Sequence, residues 1–522
     1  MDTFIAKHSD AVIGSLSGFD RLVFRGTLRP LSYVGGMKSY LWAAKVLLKD
    51  FGEHAKQLTK RLKGASEELA AKASRPFLYL PSSATSKEEE ARRIAHKDGI
   101  KDGLVCMLRA VEPCTSYDIF RNREAKRLEL EIRPRKCLHI YHYHVHPVFG
   151  FMNARIQTWF PFSVQICVNG RQWLARQMTE AGIGYVQRDN CFTWLEDPVQ
   201  AQNLMDRQLR AAWPELLDDI ARTLNPFHEE MFEAFPMDYY WSTFQSEWAT
   251  DVLFRDAPTL GRLYPSLVHH GLTTFFSPDI LRFLARHVPA SGVLPVGLKA
   301  EVTSDIKTRT EGVRIKHRVG ANSIKMYDKQ GSVLRVETTI NDVTGFKSFR
   351  SPQGQPKVEK DWRPMRRGIA DLHRRAEISH AANHRYFQAM ASVENTTSLG
   401  QLVERLCRPL VRNARRVRAL NPYAHDDAKL IEAIGRGEFT IAGFRNRDLR
   451  ALLFTDATDS NKEQRRHAAA VSRKLALLRA HALIKKVQGT HRYHLTSEGR
   501  TMVTALITAR NATTASLTQL AA

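Results

Sequence analysis

The chain has little of what marks a stapled, exported or membrane-spanning protein. Its six cysteines (Cys106, Cys114, Cys137, Cys167, Cys191 and Cys407) are scattered over 522 residues without a C-x-x-C pair. A chain this long buries enough apolar surface to fold without disulfides, so they read as reduced and mostly buried. No window approaches 18 uncharged apolar residues, and the opening MDTFIAKHSDAVIGSLSGFDRLVF has no basic, then apolar, then small-residue layout of a secretory leader. No membrane partner is expected, and the cytoplasm is the expected compartment. Acidic residues are also scarce: 54 Asp and Glu stand against 78 Lys and Arg, a formal charge of +24. With 43% hydrophobic and 25% charged residues the composition is that of a globular protein, which excludes disordered and collagen-like classes.

A positive surplus of this size points to nucleic acid as the first partner to test, because Lys and Arg that neutralise phosphates release counterions and supply most non-specific affinity. A soluble protein with a generally basic composition is the competing explanation. The charge is unevenly placed. Residues 401–522 hold 22 Lys and Arg against 10 Asp and Glu, a net +12, and no acidic residue occurs between Gln464 and Tyr493.

Residue periodicity predicts an α+β protein. Residues 11–34 read as a hairpin of short strands around Ser17-Gly18, and residues 37–69 and 86–110 as helices, the second opened by a Ser86-to-Glu89 capping pattern. Alternation over 127–168 predicts strands, followed by a turn at Asn169-Gly170, a helix (RQWLARQMTEAG) and a further strand. Residues 200–235 and 258–287 read as helical and 287–300 as a connection. Residues 301–340 form the clearest antiparallel meander in the chain, and 350–364 a polar linker. The expected units are an N-terminal strand hairpin and helical region (1–126), an α+β subdomain with a histidine-rich strand (127–225), an α+β subdomain with the meander (226–349), a linker with helices (350–421) and a C-terminal unit (422–522).

In that last unit FRNRDLRALLF, a polar turn, HAAAVSRKLALLRAHALI and KKVQGTHRYHLT read as helix, turn, helix and a two-stranded hairpin. Val471, Leu475, Leu478 and Leu483 recur at core spacing and leave Arg473, Lys474 and Arg479 on other faces. The order resembles a winged helix-turn-helix, as in many bacterial transcription regulators. That resemblance implies base or phosphate contacts from Arg473, Lys474 and Arg479 and backbone contacts from Lys485, Lys486 and Arg492 on the wing. A basic protein-interaction module is the alternative. The segment RPLVRNARRVRAL reads as a basic helix whose Arg415 and Arg416 touch nucleic-acid backbone or simply face solvent.

Two further patterns carry chemistry. In LHIYHYHVHP a period of two puts His142, His144 and His146 on one strand face. His142 and His146 lie about 13 Å apart along an ideal strand, so adjacent pairs are the realistic chelators. His144-Val145-His146 resembles the His-hydrophobic-His motif of rolling-circle nucleases and relaxases. Packing under a helix is the competing role for this strand.

The second pattern, in NSIKMYDKQGSVLRVETTIN, has Lys325, Tyr327, Asp328 and Lys329 followed across a turn by Leu334, Arg335 and Glu337. It resembles the Rep-type initiators of plasmids and filamentous phages, in which K-x-Y-D-K precedes L-R-x-E. The family also opens with an acidic strand, to which Phe19-Asp20-Arg21-Leu22-Val23-Phe24 is similar. The resemblance implies an antiparallel Rep-like core with helical insertions. It also implies that Asp20 and Glu337 approach in one sheet and share a divalent metal, Mg²⁺ or Mn²⁺, and that a metal held by His144 and His146 polarises the phosphate.

The implied reaction is attack of a tyrosine hydroxyl on a phosphodiester, with Lys325 or Lys329 offsetting charge. No helix-borne Tyr-x-x-x-Lys follows the histidine strand. Tyr240 and Tyr327 are the candidate nucleophiles, and Tyr185 reads as a plain strand residue. Glu247 and Asp251, four apart in SEWATDVLFRD, read as one face of a helix. Lys316 and Arg318 on the meander and Trp159 in RIQTWFPF are expected nucleic-acid contacts, Trp159 by stacking on an unpaired base.

The expected function is a DNA nicking and rejoining protein of a mobile element, plasmid or phage. The alternative is a non-catalytic DNA regulator or RNA-binding protein using the same basic surfaces.

Overall fold

The computed structural model describes the chain apart from residues 82–84, 287, 289–301, 310–311, 353–354, 356–357, 392–398, 413–414, 437–438, 440–442, 455–459 and 514–522. The expected connection at 287–300 therefore lies almost wholly outside the described residues. Two compact units are present: Met1–Val268 with Phe283–Ala285 and Ser304–Ala389, and His269–Arg282 with Arg286–Thr303 and Met390–Ala522. The α+β class holds. The expected boundaries at 126/127 and 225/226 fall inside the first unit, because strands from all three segments share one sheet.

That sheet has eleven strands: β1 (Val12–Leu28), β2 (Phe77–Tyr79), β3 (Gly103–Asn122), β4 (Arg127–His146), β5 (Gly150–Gln157), β6 (Val164–Asn169), β9 (Tyr239–Phe254), β10 (Val302–Arg309), β11 (Gly312–Val319), β12 (Asn322–Lys329) and β13 (Val333–Ile340). The spatial order is β10-β11-β12-β13-β9-β1-β6-β5-β4-β3-β2. The short β7 (Tyr185–Arg188) and β8 (Cys191–Leu195) form a separate hairpin. Described pairings in the large sheet are antiparallel except β2 with β3.

Residues 11–34 are not a hairpin. Ser17-Gly18 stays extended inside the 17-residue β1, which pairs with β9 on one side and β6 on the other. Glycine is needed at 18 because a Cβ would collide with the side chain of Met205. Glu247 and Asp251 are likewise not helical. They lie in β9, whose aromatic and β-branched run YYWSTFQSEWATDVLF suits a pleated, buried surface. The long helix expected over 37–69 is two, Val34–Ala43 and Phe51–Lys72, separated at Lys45, whose φ of 56° ends the first. Asn169-Gly170 is a helix start: the Asn169 side chain caps the backbone N–H groups of Arg171 and Gln172.

β12 and β13 are buried along nearly their whole length, as expected of central strands covered on both faces. Helix Leu372–Met390 covers one face, where Asn383 hydrogen-bonds Thr338 and the carbonyls of Trp248 and Val336, and Tyr386 meets His317 at 3.1 Å. On the same face of β1 and β9, Phe19 packs edge-on against Trp248 at 4.9 Å. The opposite face carries the polar residues described below.

The second unit holds helices Asn446–Leu453 and Asn461–Ala480, a hairpin of Ile484–Lys486 and Tyr493–Leu495, and helix Ser497–Asn511. Val471, Leu475, Leu478 and Leu483 share its apolar core, as their spacing predicts, together with Leu495. The expected basic helix at 408–420 is instead a small hairpin, Leu410–Arg412 with Arg415–Val417. Among the described residues no helix is long and apolar enough to cross a membrane.

Candidate metal centre

Three neighbouring strands bring Asp20 (β1), Glu247 (β9) and Glu337 (β13) together. A ligand oxygen from each lies within 4.8 Å of the others, the one such group of three or more His, Cys, Asp or Glu among the described residues. Register explains the convergence. Glu337 stands opposite Ala249, two residues along β9 from Glu247, so both point to one face. Phe19 faces Trp248 and Arg21 faces Glu247, which leaves Asp20 as the extra residue of a β-bulge. The bulge turns Asp20 onto the same face as Arg21 and Glu247.

The next strand supplies the cation. Lys325 on β12 stands opposite Glu337 and places Nζ 2.6 Å from its Oε1 and 3.7 Å from Glu247 Oε1. Tyr327 donates its hydroxyl to Glu337 Oε2 at 2.7 Å. Asp251 is taken up separately, by Arg335 at 2.5 and 2.8 Å and by Arg171 at 3.0 Å, all three side chains being buried. Arg335 also lies 3.3 Å from Asp20 Oδ2.

The β7–β8 hairpin closes over this floor. Its tip places Asn190 Nδ2 2.9 Å from Asp20 Oδ2, accepts a hydrogen bond from Arg335 on the Asn190 carbonyl, and holds Lys329 against Asp189 at 2.9 Å and against Asn190. Between the tip and helix Lys87–Lys97 lies a cavity of about 150 Å³, lined by Asp20, Arg21, Glu247, Asn153, Cys167 and Asn169 below and by Glu88, Arg92, Asp189 and Asn190 at the rim.

The three carboxylates are unequal. Burial alone would raise Glu337, but Lys325 brings it down to about 2, so it is ionised. Burial, and then the charge on Glu337, pushes Glu247 up to about 7. Asp20 is also raised, by burial first, with Arg335 opposing and Glu337 adding. Its Oδ1 is buried without a hydrogen-bond partner. A converging carboxylate set with one ionised member, two that resist ionising and an unpartnered oxygen fits a hard divalent cation that takes oxygen ligands.

The histidine strand does not belong to this centre. His142 stands opposite Ala154 and His144 opposite Met152, whereas Tyr143 stands opposite Asn153, which faces Cys167. Cys167 and Asn169 share a face with Arg21 and Glu247, so the histidines lie on the other side of the sheet. There they line a cavity of about 210 Å³ with Asp219, Ile220, Thr223 and Leu224. Burial lowers His142 to about 3 and His144 to about 4, the neighbouring histidine adding to each. His142 Nε2 meets Ser66 Oγ at 3.3 Å, and His146 Nδ1 accepts from the Val148 and Phe149 amides. Asp20 and Glu337 thus meet in one sheet as expected, while the histidines lie on its other face, away from them.

Other expected residues separate in the same way. Tyr240 lies seven residues from Glu247 on β9, about 23 Å at strand rise, beneath the Arg29 guanidinium at 3.5 Å. Tyr327 is in the centre, but burial first, then Glu337, holds its hydroxyl protonated far above the ordinary tyrosine range. Lys329 anchors the hairpin tip. Trp159 is half-buried and meets Phe51 edge-on at 6.2 Å, so it is a packing residue and not a free stacking surface. Lys316 and Arg318 lie on β11, Arg318 exposed, and in the second unit Arg473, Arg479, Lys485 and Lys486 are exposed while Lys474 and Arg492 are half-buried.

Glu247, Asp251, Arg171 and Asn190 were not singled out for this centre by sequence. The period-two alternation of β9 is the signal that places Glu247 and Asp251 on one strand face. Comparison with protein-family models, with curated proteins and with solved structures returned no match.

Proposed function

We propose that the protein is a divalent-metal-dependent endonuclease acting on single-stranded nucleic acid, DNA by preference, of the nicking kind that the meander's resemblance implies for a mobile element, plasmid or phage. The observation that carries the reading is the convergence of Asp20, Glu247 and Glu337 beside Lys325 on one buried sheet face. Buried charge of this density is costly unless it serves a site. A divalent cation held there would polarise a phosphate oxygen and help orient the scissile group.

The remaining roles follow from this chain's own groups. Lys325 is positioned to offset negative charge that develops on a phosphate drawn toward the carboxylates. Arg335 and Arg171, each bound to Asp251, fix the floor, and Tyr327 orients Glu337 through its hydroxyl. Water entering the cavity beside Asn153 and Asn169 is the proposed nucleophile, its oxygen bonding phosphorus as one ester P–O bond breaks and its proton passing to the departing oxygen, because Tyr327 is buried and protonated and Tyr240 is distant. In the second unit the helix Asn461–Ala480 exposes Arg473 and Arg479 and the following hairpin exposes Lys485 and Lys486. That arrangement supports a winged helix that contacts duplex DNA.

The test is cleavage of labelled single-stranded DNA, duplex DNA and structured RNA by the full chain with Mg²⁺ or Mn²⁺. Asp20→Asn, Glu247→Gln and Glu337→Gln should each lower cleavage at least 100-fold while binding persists. Absence of cleavage of all three substrates with either ion would leave binding as the function. A covalent protein–DNA adduct would restore the tyrosine route.

A further inference from the structure

Lys316 of β11 stands directly opposite Lys325 of β12. Like charges facing each other across an antiparallel pair are destabilising, so this pairing needs a compensating anion. Lys325 has its own in Glu337 and Glu247. Asp305, whose charge acts on Lys316 more weakly than the surrounding cations do, is shared by Arg314 at 3.5 Å and Arg318 at 3.3 Å. No ion pair of Lys316 is found among the described residues. Burial, then Lys325, Arg318 and Arg314, lowers its ammonium to about 8, the mark of a cation without an adequate counter-charge.

Register places this surplus cation in line with the metal centre. Lys316, Lys325 and Glu337 are successive cross-strand neighbours on one face of three adjacent strands. At about 4.8 Å per strand, Lys316 lies roughly 10 Å from Glu337. Lys316 with Arg314 and Arg318 forms a basic row along the same face of β11.

We propose that Lys316 is the core of an anion subsite that holds a phosphate adjoining the reacting one on a nucleic-acid strand. The proposal rests on the endonuclease reading for the identity of the strand. Its chemistry is separate, because the subsite needs no metal. Lys316 would act as a point charge, and the flanking Arg314 and Arg318 would set the direction in which the backbone leaves the centre.

The experiment uses the full chain in EDTA with a fluorescent single-stranded 12-mer, comparing the parent with Lys316→Gln and Lys316→Arg over a salt series. The expected result is a five- to tenfold loss of affinity for Lys316→Gln, a salt slope shallower by about 0.7 because one phosphate is no longer neutralised, and near-parent behaviour for Lys316→Arg. A single neutral methylphosphonate moved along the 12-mer should weaken the parent at one linkage and leave Lys316→Gln unaffected there. Thermal stability of Lys316→Gln should equal or exceed the parent's, since the facing pair is relieved.

Equal salt slopes, equal methylphosphonate profiles, a large loss of melting temperature, or no affinity for the 12-mer would each overturn the proposal. Protection by inorganic phosphate that depends on Lys316, without 12-mer affinity, would instead assign the subsite to a small phosphate ester. Cleavage that is lost in Glu337→Gln but indifferent to Lys316 would sink the subsite and leave the endonuclease standing.

Discussion

Lys325 Nζ lies 2.6 Å from Glu337 Oε1 in a row where the two residues are direct cross-strand partners. This pairing assigns one negative charge of the triad to the protein itself and leaves the charges of Asp20 and Glu247 without equal compensation. Burial and the charge on Glu337 hold Glu247 nearer to neutrality, and burial does the same for Asp20, so a divalent cation is the counter-charge proposed for their ionised forms.

Stability of the metal-free protein should respond in opposite directions to two conservative substitutions. Glu337→Gln leaves the Lys325 ammonium, which is mostly buried, without its closest partner, and breaking such a pair costs about 3–5 kcal/mol. Glu247→Gln removes a carboxylate that burial and Glu337 already disfavour, so at pH 8 it should raise the melting temperature. Thermal unfolding in EDTA is the measurement, and a loss of stability in both variants would contradict the charge assignment.

The pH dependence follows with a definite sign. Glu247 has its folded pKa raised to about 7 from an ordinary value near 4.5, so the folded state binds the extra proton between these values. Stability of the metal-free protein falls as pH rises through that window, whereas a divalent ion must displace the proton to bind. The increase in melting temperature on adding Mn²⁺ should accordingly be larger at pH 8 than at pH 6. Glu337, lowered to about 2, acts oppositely, and its contribution should fade only as pH falls below about 4.5.

Removing the histidine side chains should leave the carboxylate triad untouched, because they occupy the other face of the sheet. His144→Ala with His146→Ala should bind Mn²⁺ with the parent's affinity in calorimetry and cleave at the parent's rate. A tenfold loss of metal affinity would return the histidines to the centre.

The tyrosines separate by position. Tyr240→Phe should cleave as the parent does. Tyr327→Phe removes one hydrogen bond to Glu337 and should lower the rate by about tenfold, in keeping with about 1.5 kcal/mol for a hydrogen bond to a charged group. Neither protein should yield a 5′-phosphotyrosine adduct on denaturing gels.

Much of the fold was legible because its signals are local. Alternation located the meander and the histidine strand, and the acid-free stretch from Gln464 to Tyr493 marked the basic helix and hairpin of the second unit. The errors came where tertiary packing overrode a local cue. Ser17-Gly18 reads as a turn, yet the glycine serves the close approach of Met205 within an extended strand. SEWATDVLF reads as one helix face, yet β9 is extended because it is flanked by β1 and β13 on either side.

By itself the sequence determined which residues share a face within a strand: Lys325, Tyr327 and Lys329 on one, Arg335 and Glu337 on the next, His142, His144 and His146 on a third. A period of two settles that much for any strand. Which faces align across strands separated by a hundred or more residues depends on register and on a single bulge. That bulge, at Asp20, joined β1 to the carboxylates of β9 and β13, and the registers of β4, β5 and β6 sent the histidines to the opposite side. Only the tertiary structure decided these, because shifting a strand by one residue exchanges its two faces while leaving its local pattern unchanged.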